Sequence, residues 1–323
     1  RQLYLDKFLL WSKRTERMAL SKYPYLDDKI VATGATGFDR YKLLNFKSKD
    51  SFLKENNLKY KKIIGIASYG FCYLFGDFYK KRENIYVGMY GQDQIDMYRN
   101  DLVRLQKIYR EIINNNPDIL FILRYHPGTI DFEKNEFYGL EDLDNVFISN
   151  NFTSTDYQVA DLINISDLWI AYETTTALEA WLLGKQTFLI NPTRSDFIRE
   201  NVHKGSPIVS NETEAQLLID EYYLNGSIEA FQSLESERKK IIKDVIEFDD
   251  GKNHVRAAEE IIKVLEQPDR KVKYKFKIYK EAFKQILKII LSKTIFRKRW
   301  PKLVHKRDFA KPYEEAYDKA IDV

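Results

Sequence analysis

Short apolar runs separated by polar turns recur along much of the chain. Runs of strand length lie at residues 61–70, 119–127 and 168–171, and such runs between turn residues are typical of buried strands. Residues 96–115 instead carry apolar side chains at helical spacing, and the sequence NNNPD ends that helix. Strands that alternate with helices predict an α/β fold with a mostly parallel, Rossmann-like sheet.

The clearest unit is DLWIAYETTTALEAWLLGKQTFLINP, residues 167–192. It predicts a strand, a hydroxyl-rich turn, a helix that ends at Gly184, and a second strand. The turn contains Thr174, Thr175 and Thr176. Their hydroxyls either cap the first helical turn or bind an anion beside it, and the pattern leaves both options open. Glu179 follows within about one helical turn, where we expect it to reach a ribose hydroxyl.

Two other predicted strands end in residues that could take part in ligand binding. The strand at 119–127 ends in Arg124, His126 and Pro127, and open α/β sheets bind ligands at the carboxyl ends of their strands. A histidine at a strand end is often structural, but Arg and His beside a hydroxyl-rich helix start favour a phosphate site. Gly70 ends the run at 61–70. It predicts either a glycine-bearing loop that faces the ligand cleft or an ordinary turn between strand and helix.

Composition narrows the class of protein. The 323 residues and 44% hydrophobic content are typical of a soluble globular chain with a substantial core. Cys72 is the single cysteine, which excludes an intrachain disulfide, and no histidine lies near it in the sequence to activate it as a nucleophile. No apolar run approaches the roughly 20 residues that span a bilayer.

The charge is unevenly distributed. The net charge is +4, yet residues 271–323 contain 16 Lys and Arg against 6 Asp and Glu. Within this tail, residues 279–300 place apolar side chains at helical spacing among lysines. That pattern predicts an interfacial helix on an anionic membrane surface, or a helix that packs on another domain. Since the remaining residues are net acidic, a nucleic-acid partner is not expected.

No metal site is predicted. Asp142 and Asp144 form a DxD pair, but no third ligand follows at suitable spacing, so an exposed loop is the better interpretation. His203 and His254 also lack partners at the spacing of zinc ligands.

The order of these elements resembles a known family. Four segments carry the resemblance: the HP element at His126, the paired hydroxyls followed by EA and GK, the passage LLWSKRTERMALSKYPYLDDKIVATGATGFDRY at 9–41, and FDDGKNHVRAAEEIIKVL at 248–265. Together they look like the C-terminal, nucleotide-binding half of GT-B glycosyltransferases. More narrowly, they resemble the bacterial surface-carbohydrate, sialyl- and Kdo-transferase groups. The resemblance covers about residues 5–265.

This resemblance implies roles and boundaries. His126, Thr174 and Thr175 would contact the nucleotide phosphate with Arg124, and Glu179 would be directed at the donor ribose. Residues 1–40 would form an interdomain passage, 41–268 the nucleotide-sugar-binding domain and 269–323 the basic helical tail. An N-terminal acceptor domain, which carries the general base in such groups, is expected to be missing from this sequence.

The resemblance therefore implies a glycosyltransferase. It would transfer a sugar from a nucleotide donor, with CMP among the options, to a bacterial surface glycan or lipid-linked acceptor, without metal or cofactor, in the cytoplasm or on the inner face of the membrane. A CDP-glycerol-type glycerophosphotransferase and a nucleotide-sugar 2-epimerase are the alternatives within this fold. A basic membrane-binding module is the non-enzyme alternative.

Overall fold

A computed structural model describes residues 6–75, 87–88, 91–127, 129, 133–149, 157–193, 200–266 and 283. The predicted tail, apart from Phe283, lies outside these residues, as does most of the aromatic segment that follows Phe75. No helix among the described residues is long and apolar enough to cross a membrane.

The centre of the fold is a parallel sheet. The described strands are β1 (Phe8–Leu10), β2 (Ile30–Ala32), β3 (Lys62–Ala67), β4 (Ile119–Arg124), β5 (Val146–Ser149), β6 (Leu168–Ala171), β7 (Gln186–Ile190) and β8 (Ile208–Val209). Six of them form one sheet in the order β5-β4-β3-β6-β7-β8, and every pair in it is parallel. The predicted α/β, Rossmann-like class is confirmed.

Helices cover both faces of this sheet. The described helices are α1 (Lys13–Lys22), α2 (Arg40–Leu43), α3 (Lys49–Glu55), α4 (Cys72–Phe75), α5 (Gln92–Asn114), α6 (Val159–Ile165), α7 (Thr176–Leu182), α8 (Glu212–Asn225), α9 (Glu229–Ser233), α10 (Glu235–Ile246) and α11 (Asn253–Leu265). Short 3₁₀ helices lie at Pro24–Leu26, Thr36–Phe38 and Glu200–Gly205.

The two faces of the sheet bury alternate residues of each strand. In β4, Phe121 and Leu123 join the larger apolar cluster, which includes the buried face of α5. Leu120 and Ile122 face the opposite way and pack with Phe52 and Trp169. Burial on both faces explains why the strands are continuous apolar runs without polar alternation.

The predicted elements are confirmed with small shifts at their ends. The helix expected at 96–115 begins four residues earlier, at Gln92. The strand expected at 119–127 ends at Arg124, so that His126 and Pro127 belong to the loop that follows it. Gly184 has a φ of +70° directly after α7. A residue with a side chain rarely adopts that conformation, which explains why glycine ends this helix.

The predicted passage packs on the end of the domain. Its strands β1 and β2 pair in parallel, and the Ser12 hydroxyl caps α1. Arg14 of α1 lies 3.6 Å from a carboxylate oxygen of Asp244 on α10. Residues 6–40 are therefore attached to the C-terminal helices, although the predicted domain boundaries stay predictions.

Candidate functional site

The strand order identifies a crevice. From β3 the chain runs outward through β4 and β5 on one side, and then returns to β6 on the other side of β3. The loops that follow β3 and β6 therefore diverge at a topological switch point, which is where open α/β sheets bind ligands. The predicted Gly70 loop follows β3, and the predicted threonine turn follows β6.

The register places three of the predicted loops on one row. Ala67 at the end of β3 is paired with Arg124 at the end of β4 and with Ala171 at the end of β6. The loops that contain Gly70, His126 and Thr174 therefore leave the same edge of the sheet. Since neighbouring strands lie about 4.8 Å apart, the chain ends of β4 and β6 are on the order of 10 Å from each other, with β3 between them.

Arg124 is built into the sheet edge. Its side chain is 9% exposed, and its Nη1 donates a 2.9 Å hydrogen bond to the Ser149 hydroxyl at the end of β5. His126 follows two residues later and is partly exposed. The carbonyl of His126 accepts a 2.8 Å hydrogen bond from the Thr129 amide, which closes the turn after Pro127. The structure thus places a partly exposed His126 in the loop after β4 and holds the Arg124 guanidinium beneath the surface.

The three threonines have three different environments. The Thr174 hydroxyl accepts a long, 3.4 Å hydrogen bond from the Thr176 amide. The Thr176 hydroxyl accepts a 3.0 Å hydrogen bond from the indole of Trp169, so it points back toward the sheet. Thr175 is the N-cap residue of α7, yet its hydroxyl makes no capping bond, and its side chain is exposed. Of the three, Thr175 has the hydroxyl most available to a ligand.

Glu179 lies one turn into α7 and contacts α2, the helix that begins where the predicted passage ends. The hydroxyl of Tyr41, on α2, donates a short hydrogen bond to its Oε2. Burial raises the pKa of the Glu179 carboxyl, whereas the Tyr41 bond and the nearby charge of Arg40 lower it, and the net direction is upward. Sequence spacing predicted Glu179 as a site residue but gave no signal for Tyr41.

The Gly70 loop is held by one bond within the loop and by one bond to Glu136. Gly70 has a φ of +89°, and its amide donates a 3.2 Å hydrogen bond to the Ser68 hydroxyl. The preceding amide, of Tyr69, donates a 2.6 Å hydrogen bond to Glu136 Oε1. Because the Gly70 amide bonds to Ser68 within the loop and the Tyr69 amide bonds to Glu136 outside it, Gly70 shapes the turn and its amide already has a partner.

Glu136 is a functional candidate that the sequence did not reveal. Its side chain is fully buried, and its Oε2 has no hydrogen-bond partner among the described residues. Burial raises the pKa of this carboxyl to about 7. The surrounding stretch, DFEKNEFYGL, is polar enough to suggest an exposed loop, so no pattern distinguished this glutamate from its neighbours.

Two further buried carboxylates lie under the crevice. Tyr98 donates a 2.7 Å hydrogen bond to Glu173, and Tyr172 donates a 2.6 Å hydrogen bond to Asp101. Burial raises the pKa of Asp101. One signal was available here, because Asp101 occupies a position on the apolar stripe of α5, where a charged residue is unusual. Both pairs join α5 to the two residues that follow β6.

The remaining sequence expectations concern metals and thiols. Asp142 and Asp144 are exposed in the turn before β5, and within the described ranges no group of three metal-binding side chains lies together. Cys72 is fully buried at the start of α4.

Comparisons with solved structures give similar chains. S. aureus MnaA, in a co-structure with UDP, is 18% identical with a TM-score of 0.49, over 82% of this chain and 62% of that chain. The wall teichoic acid polymerase TagF is 15% identical with a TM-score of 0.49, over 82% and 60%. A glycosyltransferase from Rickettsia africae ESF-5 is 14% identical with a TM-score of 0.40, over 80% and 64%.

The chain thus spans less than two thirds of the length of each of these structures. No protein-family profile and no curated protein matches the sequence. The fold assignment rests on the strand order and register described above.

Proposed function

We propose that this chain binds the donor of an enzyme that uses a nucleotide-activated sugar. The observation that carries the proposal is the row formed by Ala67, Arg124 and Ala171. It brings the HP loop and the threonine turn to one edge of the sheet, around a topological switch point. Glu179 then follows on the helix that begins at this edge.

The proposed roles follow from side-chain chemistry. His126 and the Thr175 hydroxyl bind the phosphate oxygens of the donor, and Arg124 contributes positive charge from below. A carboxylate oxygen of Glu179 accepts a hydrogen bond from the ribose. Stabilising the leaving nucleotide and positioning the donor would supply the catalytic effect, with His126 as a proton donor to the leaving phosphate. This scheme requires no metal ion.

The proposal also specifies the chemical class of the donor and of the acceptor. The resemblance to sialyl- and Kdo-transferases favours a CMP-linked sugar and a bacterial surface glycan or lipid-linked acceptor. The basic tail would then contact an anionic membrane surface. The RxHP sequence at 124–127 keeps a CDP-glycerol donor as the second candidate, and a 2-epimerase would retain the donor site while changing the reaction.

Two site variants test the donor site. His126→Ala and Thr175→Val should each weaken nucleotide binding by about 1–3 kcal/mol, the range for a hydrogen bond to a charged group, as measured by calorimetric titration. Thr213→Val is a matched control, because Thr213 is exposed on α8. Unchanged affinity in both site variants would rule out this site.

Deletion of the basic tail distinguishes a donor-binding domain from the alternative, a basic membrane-binding module. If residues 269–323 are removed, a donor-binding domain should retain its nucleotide affinity, because every proposed ligand residue lies before residue 180. Loss of all ligand binding in a folded deletion variant would favour the basic module.

A further inference from the structure

The hydrogen bond between Tyr41 and Glu179 joins two parts of the chain that sequence analysis treated separately. Tyr41 lies on α2, beside the predicted passage, and Glu179 lies on α7, beyond the switch point. Tyr41 is 8% exposed and Glu179 is partly exposed, so the bond between them is largely, though not fully, shielded from bulk water. Hydrogen bonds to a charged group in such surroundings are stronger and more directional than exposed ones.

The position of the Tyr41 hydroxyl is fixed by its neighbours. The rings of Phe38 and Phe46 each lie 6.0 Å from the Tyr41 ring, measured between centroids. Asp39, two residues earlier, accepts hydrogen bonds from the first amides of α11. The backbone that carries Tyr41 is thereby attached to the C-terminal helix, and the hydroxyl approaches Glu179 from one direction.

The carboxylate retains a second oxygen for another donor. Tyr41 bonds to Oε2, and no other side-chain hydrogen bond to Glu179 is made by the described residues. A carboxylate with two oxygens has about four acceptor positions. One Glu179 oxygen can therefore be oriented by Tyr41 while Oε1 accepts from a ligand hydroxyl.

We infer that Tyr41 is a positioning residue that orients Glu179 toward the ribose of the donor, so that the segment after the predicted passage forms part of the donor site. This inference rests on the proposed function. The ligand class it specifies is a ribonucleotide with free ribose hydroxyls. Loss of the Tyr41 hydroxyl frees the carboxylate to rotate, which weakens the ribose contact and leaves the phosphate contacts unchanged.

The test compares ribose and dideoxyribose ligands. The ligand is whichever of CMP, CDP, UDP and GDP the wild-type chain binds most tightly, together with its 2′,3′-dideoxy analogue. Tyr41→Phe, which keeps the ring, should weaken binding of the ribonucleotide about tenfold, as expected for one hydrogen bond to a charged group. It should change binding of the dideoxy analogue less than about twofold. In a Glu179→Ala background, Tyr41→Phe should have no further effect on the ribonucleotide.

Tyr60→Phe is the matched control. The Tyr60 hydroxyl bonds to the Asp144 carbonyl, just before β3 and β5 begin, so it lies at the opposite edge of the sheet from the crevice. This variant should bind both ligands like the wild type.

Three results would overturn the inference in distinguishable ways. Equal losses for the two ligands would show that Tyr41 only maintains the fold. Wild-type affinity of Tyr41→Phe for the ribonucleotide would show that Glu179 needs no positioning. If the wild-type chain binds none of the four nucleotides, the proposed function itself fails, and the inference fails with it.

Discussion

Asp39 and His254 are joined by two hydrogen bonds to one carboxylate oxygen. Asp39 Oδ2 accepts from the His254 amide at 2.7 Å and lies 2.8 Å from its Nδ1, while Oδ1 accepts from the Asn253 amide at 3.1 Å. Asp39 therefore caps the N-terminus of α11 from a position more than 200 residues away in the sequence. The two outer motifs of the family resemblance, FD and DGKN, meet at this contact.

Replacement of Asp39 by Ala should destabilise the protein. The variant leaves the first amides of α11 without a partner, and loss of a helix cap costs about 1–2 kcal/mol in the free energy of unfolding. Asp27→Ala is the control, since Asp27 is exposed. Burial raises the pKa of Asp39, but the bonds from His254 and Asn253 outweigh it and hold the pKa below its usual value. The contribution of Asp39 is therefore lost as the pH falls below about 4. Equal urea midpoints for the two variants would contradict the capping role.

Gly34 should not tolerate a side chain. Its φ is +91°, and a Cβ would lie 1.9 Å from Asn253 Oδ1, at the same junction of passage and α11. Gly34→Ala should cost roughly 3 kcal/mol or more in the free energy of unfolding, since it combines a backbone conflict with a steric one. Gly37 is a matched control three residues away, because a Cβ there would meet nothing within 4 Å. A Gly34→Ala variant as stable as Gly37→Ala in thermal unfolding would disprove this packing.

Substitutions at two neighbouring threonines should have different effects on the stability of the protein. Thr176→Val removes the acceptor of the Trp169 indole, and a donor left without its partner costs about 1–3 kcal/mol. Thr175→Val removes an exposed hydroxyl with no capping bond, so its free energy of unfolding should change by less than about 0.5 kcal/mol. Chemical denaturation of both variants checks this contrast. Destabilisation by Thr175→Val would mean that this hydroxyl has a structural role.

Glu136 should make stability fall as the pH rises. Its folded pKa is about 7, above the usual value of about 4.5 for an unfolded glutamate. The folded state then binds the proton more tightly, so the free energy of unfolding decreases between about pH 4.5 and 7 and levels off above that. The loss is on the order of 3 kcal/mol. Glu136→Gln should flatten this slope, whereas Glu133→Gln, at an exposed position, should keep it. Parallel slopes in Glu136→Gln and wild type would contradict the assignment.

The sequence predicted the elements that depend on local chemistry. The strands were visible because both faces of the sheet are buried, which produces unbroken apolar runs. Gly184 was visible as the end of a helix because its positive φ favours glycine. The threonine turn and the HP loop were visible because they stand between such runs.

Contacts between distant segments were not predictable in this way. Tyr41 meets Glu179 across 138 residues, and no spacing rule connects a tyrosine in one segment with a carboxylate in another. The burial of Glu136 also depends on how residues 133–140 fold back over the β3 loop. The different hydrogen bonding of Thr174, Thr175 and Thr176 depends on the position of Trp169, which the sheet determines.

The most direct test of the proposed donor site is a calorimetric titration of the wild-type chain with CMP, CDP, UDP and GDP. We expect saturable one-to-one binding of at least one of them, with an affinity that Thr175→Val lowers and Thr213→Val does not. Preference for CMP would support the sialyl- or Kdo-transferase proposal, and preference for CDP the glycerophosphate alternative. Absence of binding to all four nucleotides by a folded sample would contradict the donor-site assignment.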